Sequence, residues 1–298
     1  MATLREVRSR IAGVKSTQKI TRAMKMVAAA KLRRAQSAVV EVRPYARTMQ
    51  RLLQKLLMET EGFAADYVWP RDVRAVALLV VTSDRGLCGG FNANLLRFAM
   101  DHIGAKYPQW YEQGRISLYC AGRKGFDFFA RRHLPVEKKF VGLYDKLNFG
   151  DAKGIAGSLI EGYLGRQFDR VEVIYNEFKS AARHDAIVEQ FLPVLREAGE
   201  MGSGPGRAEV PPDYIYEPSG EVILGSLLPR HLDFQIWRIL LESNAAEQGA
   251  RMTAMDNATE NANELIEYLQ LQYNKARQAG ITKELLEVVS GAEALSQA

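Results

Sequence analysis

The chain has 298 residues, 47% hydrophobic and 25% charged, which excludes a disordered or collagen-like polymer and allows one large or two modest domains. Its longest purely apolar run, Ala75 to Val81, is far below the roughly 20 residues a bilayer-spanning helix needs. Two cysteines, Cys88 and Cys120, rule out a disulfide-stapled secreted scaffold and favour a reducing, cytosolic setting, and a zinc site is not expected. The net charge of +5 hides an asymmetry: residues 1–34 carry ten Lys or Arg against the single acid Glu6, which leaves the remainder at −4.

The basic amino terminus has the composition of a transit peptide, but its apolar spacing continues past residue 34 unchanged, so it is read as mature structure. The series Leu4, Val7, Ile11, Val14, Thr17, Thr21, Met24, Ala28, Leu32, Ala35, Val39, Val42, Ala46, Met49, Leu53, Leu56 advances by threes and fours. A mean step of about 3.5 is the period of a coiled-coil seam. Thr17 and Thr21 weaken the seam, and Pro44 predicts a kink, because an interior proline removes a backbone donor.

The middle alternates strands and helices. Val73 to Val81 and Ile116 to Cys120 are near-continuous apolar runs, the pattern of buried parallel strands. Val171 to Tyr175 is a third, with Ala186 to Leu192 and Tyr214 to Tyr216 weaker. Helical patterns cover Asn92 to Ile103, Arg123 to Arg131, and Asp151 to Leu164 with Asp151 as N-cap. Together they predict a Rossmann-like open α/β domain over 70–217. Gly199 to Pro212 reads as a surface loop.

The last part is proline-free from Arg230 onward, with Pro229 suited to a first helical position. Leu241, Ala245, Gln248, Met252, Met255, Thr259, Ala262, Ile266, Leu269, Tyr273 and Ala276 again step by three or four. Helices over 1–60 and 220–298 would each reach about 80 to 100 Å, too long for a compact domain to cover. The fold expected is therefore α/β, with the terminal helices paired as a long antiparallel two-helix coiled coil beside the central domain. From Glu247 onward eight acids face four bases, so a basic helix meets an acidic one. Apolar burial must supply most of the stability, since exposed ion pairs contribute only about 0 to 1 kcal/mol.

Chemistry-bearing motifs are few. Ser83 to Asn92 (SDRGLCGGFN) follows the first strand, where doubly wound folds place a phosphate loop, but glycines at 86, 89 and 90 do not make G-x-G-x-x-G. No G-x-x-x-x-G-K-[ST] occurs, so the loop is read as structural or partner-binding; Gly122-Arg123-Lys124-Gly125 is read the same way. His102, His133, His184 and His231 show no metal or nucleophile spacing. No catalytic residue, cofactor site or metal site is assigned. The basic first helix fits three partners: nucleic acid, in a basic-zipper layout; an anionic membrane surface; or acidic protein loops around a solvated shaft.

Arg8 to Gln36 (RSRIAGVKSTQKITRAMKMVAAAKLRRAQ) closely resembles the amino-terminal helix of the gamma subunit of F-type rotary ATP synthase. SDRGLCGGFN is similar to that family's middle-domain signature, and Ala250 to Thr259 with Leu269 to Leu285 is similar to its terminal helix. The resemblance implies a central rotor shaft, non-catalytic itself. It would sit inside a ring of alpha and beta subunits, with its α/β foot beside the epsilon subunit and the membrane c-ring. Nucleotide chemistry would belong to the beta subunits. By residue, the resemblance implies partner contacts for Arg251, Gln278 and Thr282 with catch loops of the ring, for Arg85 and Cys88 with an acidic helix-turn of beta, and for Met24 and Lys25 at the shaft neck. Gly249, Gly280, Ala245 and Ala262 would keep the coil thin. The cysteine pair of plastid members has no counterpart. The chain is accordingly expected on the cytoplasmic face of a bacterial plasma membrane, touching it only through the complex. A nucleic-acid-binding coiled-coil protein is the alternative function.

Overall fold

The computed structural model describes residues 4–59, 65–181, 183–194 and 216–296. The chain divides into two compact units, one of residues 4–29 with 251–296, the other of residues 30–250.

Two long helices contribute to both units: α1 (Leu4–Glu59) and, at the end of the chain, a helix over Gly220–Ser296. In the first unit their segments run antiparallel. Gln18 bonds Asn263, Thr21 bonds Thr259 and Lys25 bonds Asp256, so each step of three or four up one helix is a step of three or four down the other. Val7, Ala28, Met255, Ala262, Ile266 and Leu269 are buried along the same seam. Every seam position foreseen from Leu241 to Ala276 is buried or half-buried. In α1 the seam passes through half-buried Gln18 rather than exposed Thr17. Steps of four, three and four from Val14 to Lys25 keep the alternation of a heptad seam, displaced by one residue from the expected positions Thr17 and Met24.

The second unit is built on a five-stranded sheet. After the short α2 (Ala65–Val68) come β1 (Val76–Val81), α3 (Phe91–Lys106), α4 (Pro108–Glu112), β2 (Ile116–Ala121), α5 (Arg123–Ala130) and β3 (Val136–Phe140). A 3-10 turn (Leu143–Asp145), α6 (Phe149–Leu164), β4 (Arg170–Phe178), β5 (His184–Leu192) and the long terminal helix, α7, complete it. The strand order is β3-β2-β1-β4-β5, with β5 alone antiparallel. Side chains of β1 alternate between two cores. Ala77, Leu79 and Val81 face α6 and the α7 residues Leu232, Ile236 and Leu240. Val76, Leu78 and Val80 face Leu95, Ala99 and Ile103 of α3 and Phe129 of α5. Each of the Val, Leu, Ile and Phe side chains among them contributes about 1.5 to 3 kcal/mol when fully buried.

Several sequence expectations are corrected. The first strand begins at Val76, not Val73, because Asp169 Oδ2 takes the backbone N–H groups of Arg74 and Ala75 away from any ladder. α6 is capped by Asn148, whose side chain accepts from the Asp151 N–H, so Asp151 is not the cap. α1 continues through Pro44. Pro44 and Val40, the residue whose carbonyl loses its donor, are both exposed, so water can serve that carbonyl. α7 begins at Gly220 and carries Pro229 inside it, because Leu224 and Leu228 must be helical to pack against Leu53, Leu56 and Leu57 of α1. β3 (VEKKF) went unforeseen, since an edge strand with three exposed charged residues lacks apolar alternation. The Gly199–Pro212 loop and most of the Tyr214–Tyr216 strand lie outside the described residues; Tyr216 is not in a strand.

Candidate functional site

The loop after β1 uses its own polar groups. The Ser83 backbone N–H donates to Asn92 Oδ1 at 3.0 Å, Ser83 Oγ donates to the Arg85 carbonyl at 2.7 Å, and Asn92 Nδ2 donates to Cys88 Sγ at 3.3 Å. Cys88 is therefore buried, at 2% exposure. The tip of the loop is Leu87, 67% exposed and held at φ 64°. Arg85 is also exposed and pairs with Asp145 at 2.7 Å.

The same loop closes the neighbouring anion site. The first three N–H groups of α5 would suit a phosphate. Instead Arg123 N–H donates to Asp84 Oδ1, Lys124 N–H to the Ser83 carbonyl, and Gly125 N–H to Thr82 Oγ1, at 3.0, 3.1 and 2.8 Å. The second Asp84 oxygen accepts from Gly142 N–H at 3.0 Å. A carboxylate thus already occupies the anion-favouring amino terminus of α5. Gly122 makes this approach possible: at φ 105°, a Cβ there would lie 2.1 Å from the Thr82 carbonyl oxygen.

Doubly wound sheets bind ligands where the strand order reverses, here between β1 and β4. The β4 side of that crevice is covered by α7, which is buried from Leu241 to Gly249 apart from half-buried Asn244. A Cβ on Gly249 would meet the Ala181 carbonyl oxygen at 2.7 Å. Farther along α7, Arg238 is held by Glu189 through bonds of 2.6 and 2.7 Å and by Tyr175 OH at 3.2 Å, and Gln235 adds a 2.7 Å bond to Glu189. Burial raises the Glu189 pKa, but Arg238, Gln235 and Tyr175 outweigh it and hold the carboxyl below its usual value. Burial and the Arg238 charge press His231 down to about 4, so it is neutral at pH 7. Both cysteines are free, and burial pushes the Cys120 thiol up to about 12. Among the described residues no group of His, Cys, Asp or Glu could hold a metal, and no helix is long and apolar enough to cross a membrane.

The remaining site residues lie on the coil. Met24 and Lys25 are half-buried, with Lys25 2.5 Å from Asp256. Arg251 is half-buried; Gln278 and Thr282 are exposed one turn apart, and Thr282 Oγ1 donates to the Gln278 carbonyl at 2.9 Å. Asp256, Asp145 and Leu87 were not singled out from sequence. Nor was the apolar end of α7, where Ile281, Leu285, Leu286, Val288 and Val289 are all at least half exposed.

A family model described as ATP synthase matches residues 3–295. A curated ATP synthase gamma chain from Chloroherpeton thalassium is 50% identical over 302 residues, covering 100% of this chain and 99% of the relative. The chain belongs to the ATP synthase gamma-chain family. A second member, from Chlorobaculum parvum, is 48% identical over 299 residues, with 100% of both chains covered. Among solved structures, a chain of the Tetrahymena thermophila mitochondrial ATP synthase central stalk and c-ring aligns with TM-score 0.60 at 26% identity, covering 80% of this chain and 99% of that one. A chain of the Euglena gracilis mitochondrial ATP synthase (OSCP, F1 and c-ring, rotational state 3) shares the fold at TM-score 0.67 and 20% identity, covering 98% and 94%.

Proposed function

We propose that this chain is the central rotor shaft of an F-type ATP synthase. It couples proton-driven rotation of a membrane ring to ATP synthesis or hydrolysis at the beta subunits. The observation that carries the reading is the antiparallel pairing of residues 4–29 with residues from 251 onward through Gln18–Asn263, Thr21–Thr259 and Lys25–Asp256. A two-helix coil has no three-fold axis, so inside a three-fold ring it touches identical subunits differently. Differential contact shifts each subunit's open-closed equilibrium, and rotation passes that bias from site to site.

The paired segments 4–29 and 251–296 form the shaft, and the unit of residues 30–250 carries the α/β foot. Lys25, Met24, Arg251, Gln278 and Thr282 meet the alpha and beta subunits along the shaft. The exposed apolar residues from Ile281 to Val289 fit a ring lining, because so much apolar surface on a solvated helix calls for a cover. Arg85 and Leu87 form the contact tip of the loop that Cys88 shapes from inside. The foot meets epsilon and the c-ring, placing the chain at the cytoplasmic face of a bacterial plasma membrane as a peripheral subunit. The subunit is non-catalytic, a reading supported by Asp84 occupying the α5 amino terminus.

The test is reconstitution. Alone, the chain should turn over no nucleotide; added to alpha and beta subunits and returned to stripped membranes, it should restore ATP-driven proton pumping. Salt-sensitive DNA binding by the chain, without restored pumping, would instead support the nucleic-acid alternative.

A further inference from the structure

From residue 16 to residue 29 the only charged side chains of α1 are Lys19, Arg22 and Lys25, stepping by three; from 252 to 265 the only ones of α7 are Asp256, Glu260 and Glu264, stepping by four. Side chains three or four apart share a helix face, so each helix carries its charge in one row. Lys25 bonds Asp256, and on the same side Gln18 bonds Asn263. The two rows therefore lie on one flank of the seam.

The other flank carries no charge over the same length. On α1 it holds Met24, three residues after Thr21, and Ile20, one turn before Met24; on α7 it holds Ala262, three after Thr259, with Ala258 and Leu265 a turn to either side. Ile20 is 57% exposed and Leu265 44%. None of their neighbours three or four residues along the helix is charged. Met26 is exposed as well, at 63%, but it follows Arg22 by one turn and so stands in the charged row. A charged group docked on the uncharged flank would give up its water and meet no counter-charge. An apolar surface would cover Ile20 and Leu265 without that penalty.

We infer that the uncharged flank is the docking face of the coil, and that its occupant is an apolar, uncharged segment of one ring subunit. The occupant rests on the rotor reading. Identical subunits around the coil then meet unlike surfaces: one lays its apolar segment on Ile20, Met24 and Leu265, while another turns the same segment toward the Lys25–Asp256 flank, where docking would bury charge. Turning the shaft carries the uncharged flank from one subunit to the next, and with it the bias toward one conformation. Met24 and Lys25, adjacent in sequence, thus serve opposite flanks.

The test reads protons pumped per ATP hydrolysed by the reconstituted complex. Ile20→Lys and Leu265→Lys should each lower that ratio at least about threefold, because docking would desolvate the added ammonium. Met26→Lys, the same exchange on the charged flank, should keep the parental ratio. Parental ratios in both docking-flank variants overturn the proposal, as does an equal loss in Met26→Lys. Helix content of the three isolated chains should stay parental, since each site is exposed; a loss confined to the docking-flank variants would make the flank a folding contact and overturn the proposal too. So would sedimentation of the isolated chain as a dimer that Ile20→Lys splits, which would make a second copy the occupant. A parental chain that restores no pumping removes the rotor reading, and the ring occupant with it.

Discussion

Glu189 on β5 and Arg238 on α7 form a two-point ion pair, with 2.6 and 2.7 Å bonds from one guanidinium nitrogen to both carboxylate oxygens. Both side chains are about three-quarters buried. Removing Arg238 alone takes the counter-charge from both Glu189 and Glu242, the latter 5% exposed and 3.5 Å from the guanidinium, whereas removing Glu189 with it leaves only Glu242 uncompensated.

Arg238→Met should therefore destabilise the chain by about 3 kcal/mol, and Arg238→Met with Glu189→Leu by less. Urea denaturation of the three proteins measures this, and equal losses for the single and double variants would count against an uncompensated charge as the cause.

Glu172 supplies the acid limb of stability. It is 1% exposed and bonded by Lys106 and Tyr107 at 2.6 and 2.7 Å, with His102 at 2.7 Å. Burial raises its pKa, but the bonds from His102, Lys106 and Tyr107 outweigh that and bring it down from 4.5 to about 2. A depressed pKa stabilises the fold above the unfolded value and ceases to do so as pH falls through the folded one. Roughly 3 kcal/mol should thus be lost between about pH 4.5 and 2. Denaturation midpoints for Glu172→Gln should be lower at pH 7 and flatter across that window.

Two helical glycines should respond to alanine with opposite signs. At Gly280 an added Cβ meets nothing within 4 Å, so Gly280→Ala should gain up to about 1 kcal/mol from helix propensity. At Gly249 the Cβ would press on the Ala181 carbonyl, and Gly249→Ala should lose about 1 to 2 kcal/mol net of that gain. Thermal unfolding measures both.

Arg251→Ala should leave helix content unchanged and lower the protons pumped per ATP hydrolysed in the reconstituted complex. Pumping and hydrolysis that stay in parental proportion would remove Arg251 from the contact set.

The long-range plan was legible because it is periodic. Threes and fours from Val7 to Leu56 and from Leu241 to Ala276 reveal a seam, and VALLVV reveals a strand buried on both faces. What was hidden depends on partners distant in sequence. Asn148, rather than Asp151, caps α6 by where one side chain turns. Pro229 lies inside α7 because Leu224 and Leu228 are needed against α1. In the candidate site the motif SDRGLCGGFN was visible, but only its folded hydrogen bonds turn Cys88 inward and leave Leu87 at the tip.

The rotor claim is tested most directly by watching the chain turn. With the alpha–beta ring fixed to a surface and a probe on the exposed end of the α/β foot, limiting ATP should drive one-way rotation of this chain with three evenly spaced pauses per turn. Steady ATP hydrolysis by the same complexes with the probe motionless would contradict the account.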